Sequence, residues 1–228
     1  MGLAPAQLQQ NETQKKGGWL VGYVVALIGG YLLGSIPFGL LLTRLANLGD
    51  IRTIGSGNIG ATNVLRTGRK DIALATLLLD GFKAALALLL VRHWFGAEAG
   101  LVAGAAALLG HCYPVWLKFK GGKGVATFFG TLLVGSWPVG MLGGAIWLAV
   151  AYTYRYSSLS SLVAAIAAPL IALVFHVGTI GVIAIACMSA LIFLRHRENL
   201  SRLLNGTEPQ IGKGGKAEQP AAAETPAP

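Results

Sequence analysis

Three short polar stretches carry the residues whose types and spacing suit chemistry. The first is Gly55-Ser56-Gly57-Asn58-Ile59-Gly60, followed by Thr62, Asn63 and Arg66. Alternating glycines let a backbone take positive φ and turn successive N–H groups toward one point, an anion-binding nest. Ser56, Asn58, Thr62 and Asn63 add neutral donors, and Arg66 lies at helical spacing from Thr62 and Asn63, so Gly55, Gly57, Asn58, Thr62 and Asn63 read as a phosphate-binding set. The second stretch is Lys118-Phe119-Lys120-Gly121-Gly122-Lys123-Gly124. It is not a nucleotide-binding loop: the first glycine of that motif is missing, and Gly124 stands where a magnesium-holding hydroxyl would be. Its glycines precede a helix opening at Val125. Free N–H groups of Gly121, Gly122 and Gly124 and the positive end of a helix dipole would then lie beside Lys123, which suits a small anion. The third stretch, residues 195–208, reads as a basic helix continuing past an apolar segment, with His196 and Asn199 at i,i+3.

Other reactive side chains make weaker patterns. His93 and Glu98 form a His-x4-Glu pair, one methylene longer than the His-x4-Asp of many glycerolipid acyltransferases, and read as a loop pair. His111 and His176 stand alone at the ends of apolar runs. Asp80 and Lys83, at i,i+3 inside an apolar run, must neutralise each other or face a polar site. Cys112 and Cys187 read as buried thiols, and neither a Ser-His-Asp triad nor a metal-ligand spacing is present, so no cofactor is expected.

The elements that must position these residues are membrane helices. The 228-residue chain is 54% hydrophobic and only 12% charged, against about 25% charged in soluble domains. A crossing needs about 20 apolar residues. Residues 19–42, 72–91 and 94–117 each read as one span, and 157–194 as a hairpin turning near His176-Val177-Gly178. Residues 125–154 are broken by Ser136-Trp137-Pro138 and read as two helices, the first short for a crossing. Seven spans result, with the N-terminus outside and the C-terminus in the cytoplasm. Arg44, Arg52, Arg66, Arg69, Lys70, Lys118, Lys120, Lys123, Arg155, Arg195, Arg197 and Arg202 then share the cytoplasmic side, leaving Lys15, Lys16 and Arg92 outside. The expected architecture is an all-α integral membrane protein in which residues 19–205 form one domain, while 1–18 and 206–228 read as mobile tails. The net charge of +9 points to anionic partners, lipid head groups or phosphorylated substrates, and not to nucleic acid, because the cations lie between spans.

At these stretches the sequence resembles the bacterial inner-membrane acyl-phosphate:glycerol-3-phosphate acyltransferases. The likeness rests on "YLLGSIPFG", "GSGNIGATN" with Arg66, "GHCYPVWLKFKGGKGVAT" and "RHRENLSRLLNGTE", in that order, and covers residues 20–208. The resemblance implies transfer of an acyl group from acyl phosphate to the 1-hydroxyl of sn-glycerol 3-phosphate, with neither acyl-CoA nor acyl carrier protein as donor. It implies Ser56, Arg66, Lys123, His196 and Asn199 as the catalytic or substrate-contacting set. The bilayer is a partner, and the enzyme that forms the acyl phosphate is a candidate contact. Both substrates carry phosphate, which fits two glycine-rich anion sites. An already activated donor also fits direct, substrate-assisted transfer, in which a neutral His196 donates an N–H to substrate while the donor phosphate takes the proton. A transporter of phosphate or an organic anion is the competing class, and it predicts repeat symmetry and polar groups on both sides of the membrane. A non-catalytic binder of anionic lipid would account for the cations but not for the ordered Ser, Asn and His residues.

Overall fold

The computed structural model describes residues 5–212, with side chains from residue 18 onward, and every regular element among them is helical. In chain order the helices are α1 Pro5–Gly34, α2 Phe38–Leu45, α3 Ala61–Val64, α4 Lys70–Phe95, α5 Ala97–Cys112, α6 Val125–Gly135, α7 Trp137–Tyr154, α8 Ser157–Val174, α9 Thr179–Arg195 and α10 Arg197–Leu204. Among the described residues, four segments are long and apolar enough to cross a membrane: Gly18–Leu45, Lys70–Phe95, Ala97–Leu117 and Ser157–Val174. A fifth is added if α9 and α10, which meet at a 60° bend, count as one span.

The breaks fall where local chemistry demands them. Pro37 has no N–H to continue α1, and α2 starts at the next residue. The carbonyls freed there are not left bare: Trp116 Nε1 donates to Ser35 O at 2.7 Å and Lys83 Nζ to Ile36 O at 2.8 Å. Residues 125–154 do divide, at Ser136, into an 11-residue α6 and an 18-residue α7 with Pro138 in its first turn. The hairpin of α8 and α9 turns through His176 and Gly178, both at positive φ.

Parts of both segments read as tails are described. The N-terminal segment is helical from Pro5, continuous with the first span. Its Gln, Glu and Lys are good helix formers, and proline is well tolerated as the first helical residue. At the other end residues 207–211 fold back onto the turn between α7 and α8. Ile211 N donates to Arg155 O at 2.6 Å, Arg155 Nη2 to Ile211 O at 3.0 Å and Ser158 Oγ to Glu208 Oε1 at 2.6 Å. Residues 1–4 and 213–228 lie outside the described residues.

In hydrocarbon, helices gain little from hiding apolar surface and associate through close packing of small residues. Gly30 and Gly34, one turn apart on α1, lie against α5: a Cβ would stand 2.3 Å from Ala103 O at Gly30 and 2.0 Å from Ala107 O at Gly34. On the far side of α5, Leu108 joins Phe128, Leu132, Ile185, Met188 and Ile192 in the largest apolar cluster, which ties α5, α6 and α9 together. Gly34→Leu should therefore force α1 off α5, and overpacking of this kind costs about 1–3 kcal/mol or more. Gly29→Leu, where a Cβ meets nothing within 4 Å, should unfold like the parent. Thermal unfolding of both variants in detergent checks the expectation, and equal losses would contradict this packing account.

Candidate functional site

The loop around Ser56 is organised from beneath by Asn63, which is 1% exposed. Its Oδ1 accepts from Ser56 N at 3.2 Å and from Arg66 Nη1 at 3.4 Å, while its Nδ2 donates to Ile51 O at 2.7 Å and to Ile54 O at 3.2 Å. With its amide engaged at both ends, Asn63 is a scaffold of the loop and not the phosphate contact expected from the sequence. Arg66 and Ser56 are brought together by sharing that one acceptor. Gly55 lies under the arginine at φ +54°, where a Cβ would come within 2.4 Å of Arg66 Nη1.

The second loop is pinned from two sides. Gly121 N donates to Cys112 O at 3.1 Å and Gly122 N to His111 O at 3.0 Å, capping the end of α5. These two N–H groups are therefore not free for an anion, a correction to the sequence reading, in which the loop glycines offered their amides. Their carbonyls are engaged as well, since Arg195 Nε donates to Gly122 O at 3.0 Å and Arg195 Nη2 to Gly121 O at 2.9 Å. The same guanidinium lies 5.1 Å from the Tyr113 ring centroid. Gly124, at φ +80°, precedes α6 and is buried against Leu108.

At the bend between α9 and α10, His196 is 3% exposed and its Nδ1 lies 2.8 Å from Ile192 O. A carbonyl only accepts, so Nδ1 carries the proton and the neutral ring presents Nε2 as an acceptor. This corrects the expectation that a neutral His196 would donate to substrate. Burial, together with Lys123 and Arg195 nearby, pushes its pKa down to about 4, against the pull of the Ile192 carbonyl and of Glu208. One turn on, Asn199 accepts from Lys123 Nζ through Oδ1 and donates to Glu208 Oε1 through Nδ2 at 2.6 Å. Glu208, with its side chain 7% exposed, also takes Ser158 Oγ at 2.6 Å and Arg202 Nε at 2.7 Å. Burial opposes its charge, but these donors outweigh it and hold the carboxyl below the usual glutamate value. Lys123 is shifted down from the ordinary lysine range by burial and then by Arg202.

Between these elements lies a cleft of about 130 Å³ lined by Ser56, Gly57, Asn58, Gly121, Lys123, Leu194, Arg195, Arg197 and Glu198. The three polar stretches thus meet at one end of the bundle. Asn199 backs Lys123, His196 sits at the bend below, and Thr62 is exposed on α3 outside the lining. Sequence reading passed over Arg195 and Glu208. Arg195 shares a helical face with Asn199 and Arg202 in the sequence, but that spacing alone gives it no role beyond one more cation at a helix end. Glu208 closes the third stretch but borders low-complexity sequence, which gives it the look of a tail residue. His93, stacked edge-on with Trp94, lies outside the cleft lining, as does Glu98.

Residues 24–206 match the family model described as glycerol-3-phosphate acyltransferase. A protein of that description from Maricaulis maris is 60% identical over 195 residues, covering 86% of this chain and 89% of the relative. Another from Caulobacter vibrioides is 56% identical over 205 residues, covering 89% and 94%. Two crystal structures of PlsY (YgiH), an integral membrane glycerol 3-phosphate acyltransferase, are also similar. The glycerol 3-phosphate form has a TM-score of 0.79 and 39% identity over 83% of this chain and 96% of that one; the lysophosphatidic acid form has 0.76 and 37% over 84% and 96%.

With its pKa near 4, the imidazole is already neutral throughout the range where an ordinary histidine titrates. The pH profile of kcat/KM should therefore show no limb near pH 6.5 that belongs to His196. A limb there that vanishes in His196→Gln would contradict the buried, neutral ring.

Proposed function

We propose a reaction path from one premise: this chain belongs to the glycerol-3-phosphate acyltransferase family. The donor is an acyl phosphate, and the acyl group goes to the 1-hydroxyl of sn-glycerol 3-phosphate, giving lysophosphatidic acid and inorganic phosphate. One observation carries this reading: Ser56 and its glycine loop, Lys123 and two arginines line a single cleft whose only carboxylate is Glu198. Two phosphorylated substrates need a surplus of donors of this kind. Exposed Leu194 on the lip offers the acyl chain a way from the bilayer to the cleft.

In the proposed step Lys123 and Arg66 hold phosphate oxygens, while the Ser56 loop orients the donor. The 1-hydroxyl oxygen attacks the acyl carbonyl, the bond from that carbonyl to the phosphate oxygen breaks, and the hydroxyl proton ends on the departing phosphate. Phosphate is a stronger base than an imidazole held near pKa 4, which supports substrate-assisted transfer. Nε2 of His196, an acceptor, fixes a glycerol hydroxyl. Asn199 keeps Lys123 aimed. The transporter reading is disfavoured because the polar stretches gather at one end only.

The cationic loops sit at the cleft end of the bundle; with the seven crossings expected from the sequence, in place of the four or five long apolar spans of the structure, the excess of cations there favours the cytoplasmic side of a bacterial inner membrane. There it meets a water-soluble substrate and comes within reach of the enzyme that supplies acyl phosphate. A reporter fused after residue 228 should then be cytoplasmic; a periplasmic signal would mean that residues 125–154 cross only once.

Purified full-length protein should form lysophosphatidic acid from acyl phosphate and labelled glycerol 3-phosphate with no other donor. Robust turnover with acyl-CoA in place of acyl phosphate would overturn the donor assignment.

A further inference from the structure

A second polar cluster lies inside the bundle, away from the cleft lining. Lys83 and Asp80 are each 2% exposed and His111 is 4% exposed. Lys83 Nζ has three neighbours: Asp80 Oδ1 at 2.7 Å, Ile36 O at 2.8 Å and His111 Nδ1 at 2.9 Å. An ammonium has three N–H bonds and no acceptor site, and three polar atoms surround this one. His111 Nδ1 faces this pair, lying also 3.5 Å from Asp80 Oδ1, and the ring turns its Nε2 edge away from it. That far edge of the ring lies against the second glycine loop. A Cβ at Gly122 would stand 2.1 Å from His111 Nε2, 2.9 Å from Cε1 and 3.0 Å from Cδ2, so the three nearest atoms all belong to this one ring. The histidine's own backbone carbonyl takes Gly122 N at 3.0 Å.

We propose that His111 is a positioning residue for the transfer: anchored by Asp80 and Lys83, its imidazole edge is the floor on which Gly122 rests, and it sets where the adjoining Lys123 stands in the cleft. This rests on the reading that Lys123 meets a substrate phosphate. The loop is held from above by the Arg195 guanidinium on the carbonyls of Gly121 and Gly122. Arg195 closes the loop against α9, and His111 stops it from sinking toward α4. Without the floor, the loop keeps its backbone bonds but Lys123 Nζ is free to drop away from the anion. The cluster also explains why a lysine is kept where the chain is otherwise apolar. Its charge caps the broken end of α1 and fixes the ring that supports the site, so membrane packing and substrate contact share one anchor.

The contact is tested by exchanging shape across it. In His111→Asn the amide oxygen can still accept from Lys83 in place of Nδ1, but the edge facing Gly122 is gone. In Gly122→Ala a methyl is driven into that edge. Full-length protein in detergent is assayed with acyl phosphate and glycerol 3-phosphate, and thermal unfolding reports on folding. Each single variant should fold but unfold below the parent temperature, since one empties and the other overfills a packed contact, and should lose about 100-fold in kcat/KM, the scale of an ångström-level misplacement of a catalytic group. The double variant, in which the new methyl fills the vacated space, should exceed the poorer single by about tenfold, a recovery that independent structural defects would not give. Parent-like kinetics in His111→Asn, or a double variant no better than the poorer single, would overturn the proposal. Should His111→Asn not fold, Gly122→Ala decides alone: a folded protein with parent kinetics refutes the floor. Lys123→Ala is assayed alongside. If it retains parent activity, the reading of Lys123 as a phosphate contact fails, whatever positions 111 and 122 do.

Discussion

Backbone that is neither helix nor strand survives beside hydrocarbon only if its N–H and C=O groups find partners inside the protein. Three irregular stretches of the described residues meet that condition, and the site is built from the partners. The carbonyls left at the break after α1 take Trp116 and Lys83. Those of Ile51 and Ile54 take the amide of Asn63. Gly121 and Gly122 give their N–H groups to the end of α5 and accept from Arg195. Three of these partners are side chains with a second task close by: Asn63 joins Ser56 to Arg66, Arg195 lines the cleft, and Lys83 holds His111. Satisfying the backbone and placing the reactive groups are one operation here, which explains why polar residues cluster instead of dispersing along the helices.

The electrostatics follow from that arrangement. A cleft lined by Lys123, Arg195 and Arg197 raises the local concentration of anions but would repel itself if left uncompensated. Glu208 supplies the compensation from behind, held by Ser158, Asn199 and Arg202 and turned away from the space an anion would fill. Because Asn199 must donate to Glu208, its oxygen is left to face Lys123, so the carboxylate fixes the direction of the lysine through an intervening amide. The same cations and the same burial keep His196 neutral and weakly basic.

Much of this was legible in the sequence. Apolar runs of about 20 residues gave the long helices, and proline and glycine pairs located the breaks at Ser136 and at His176 to Gly178. Charge asymmetry gathered the three polar stretches toward one end, where they do meet. What was not legible is which donors a fold leaves free. Asn63, Gly121 and Gly122 have the composition of an anion site, yet tertiary hydrogen bonds engage their amides. Whether a histidine donates or accepts depends on what faces its other nitrogen: Ile192 O lies one turn before His196 but is taken only because the ring folds back at the bend, and Lys83, 28 residues before His111, does not follow from local spacing at all. Glu208 was lost because a tail is inferred from the low-complexity sequence that follows it, while its burial depends on Ser158, 50 residues earlier.

The absence of a Cβ links the membrane fold to the site. Gly34 lets α1 lie against Ala107, Gly130 lets α6 lie against Gly81, and Gly122 lets the loop lie against His111. All three contacts are steric, and all involve α1, α4, α5 or the segment that joins α5 to α6. A displacement of α4 against its neighbours would move Lys83 and Asp80 and, through them, the ring under Gly122. Small-residue contacts are intolerant of such shifts, because a few tenths of an ångström turns contact into overlap. The stiffness that lipid-facing helices gain from close packing therefore reaches a glycine loop that would otherwise be the most pliable part of the chain.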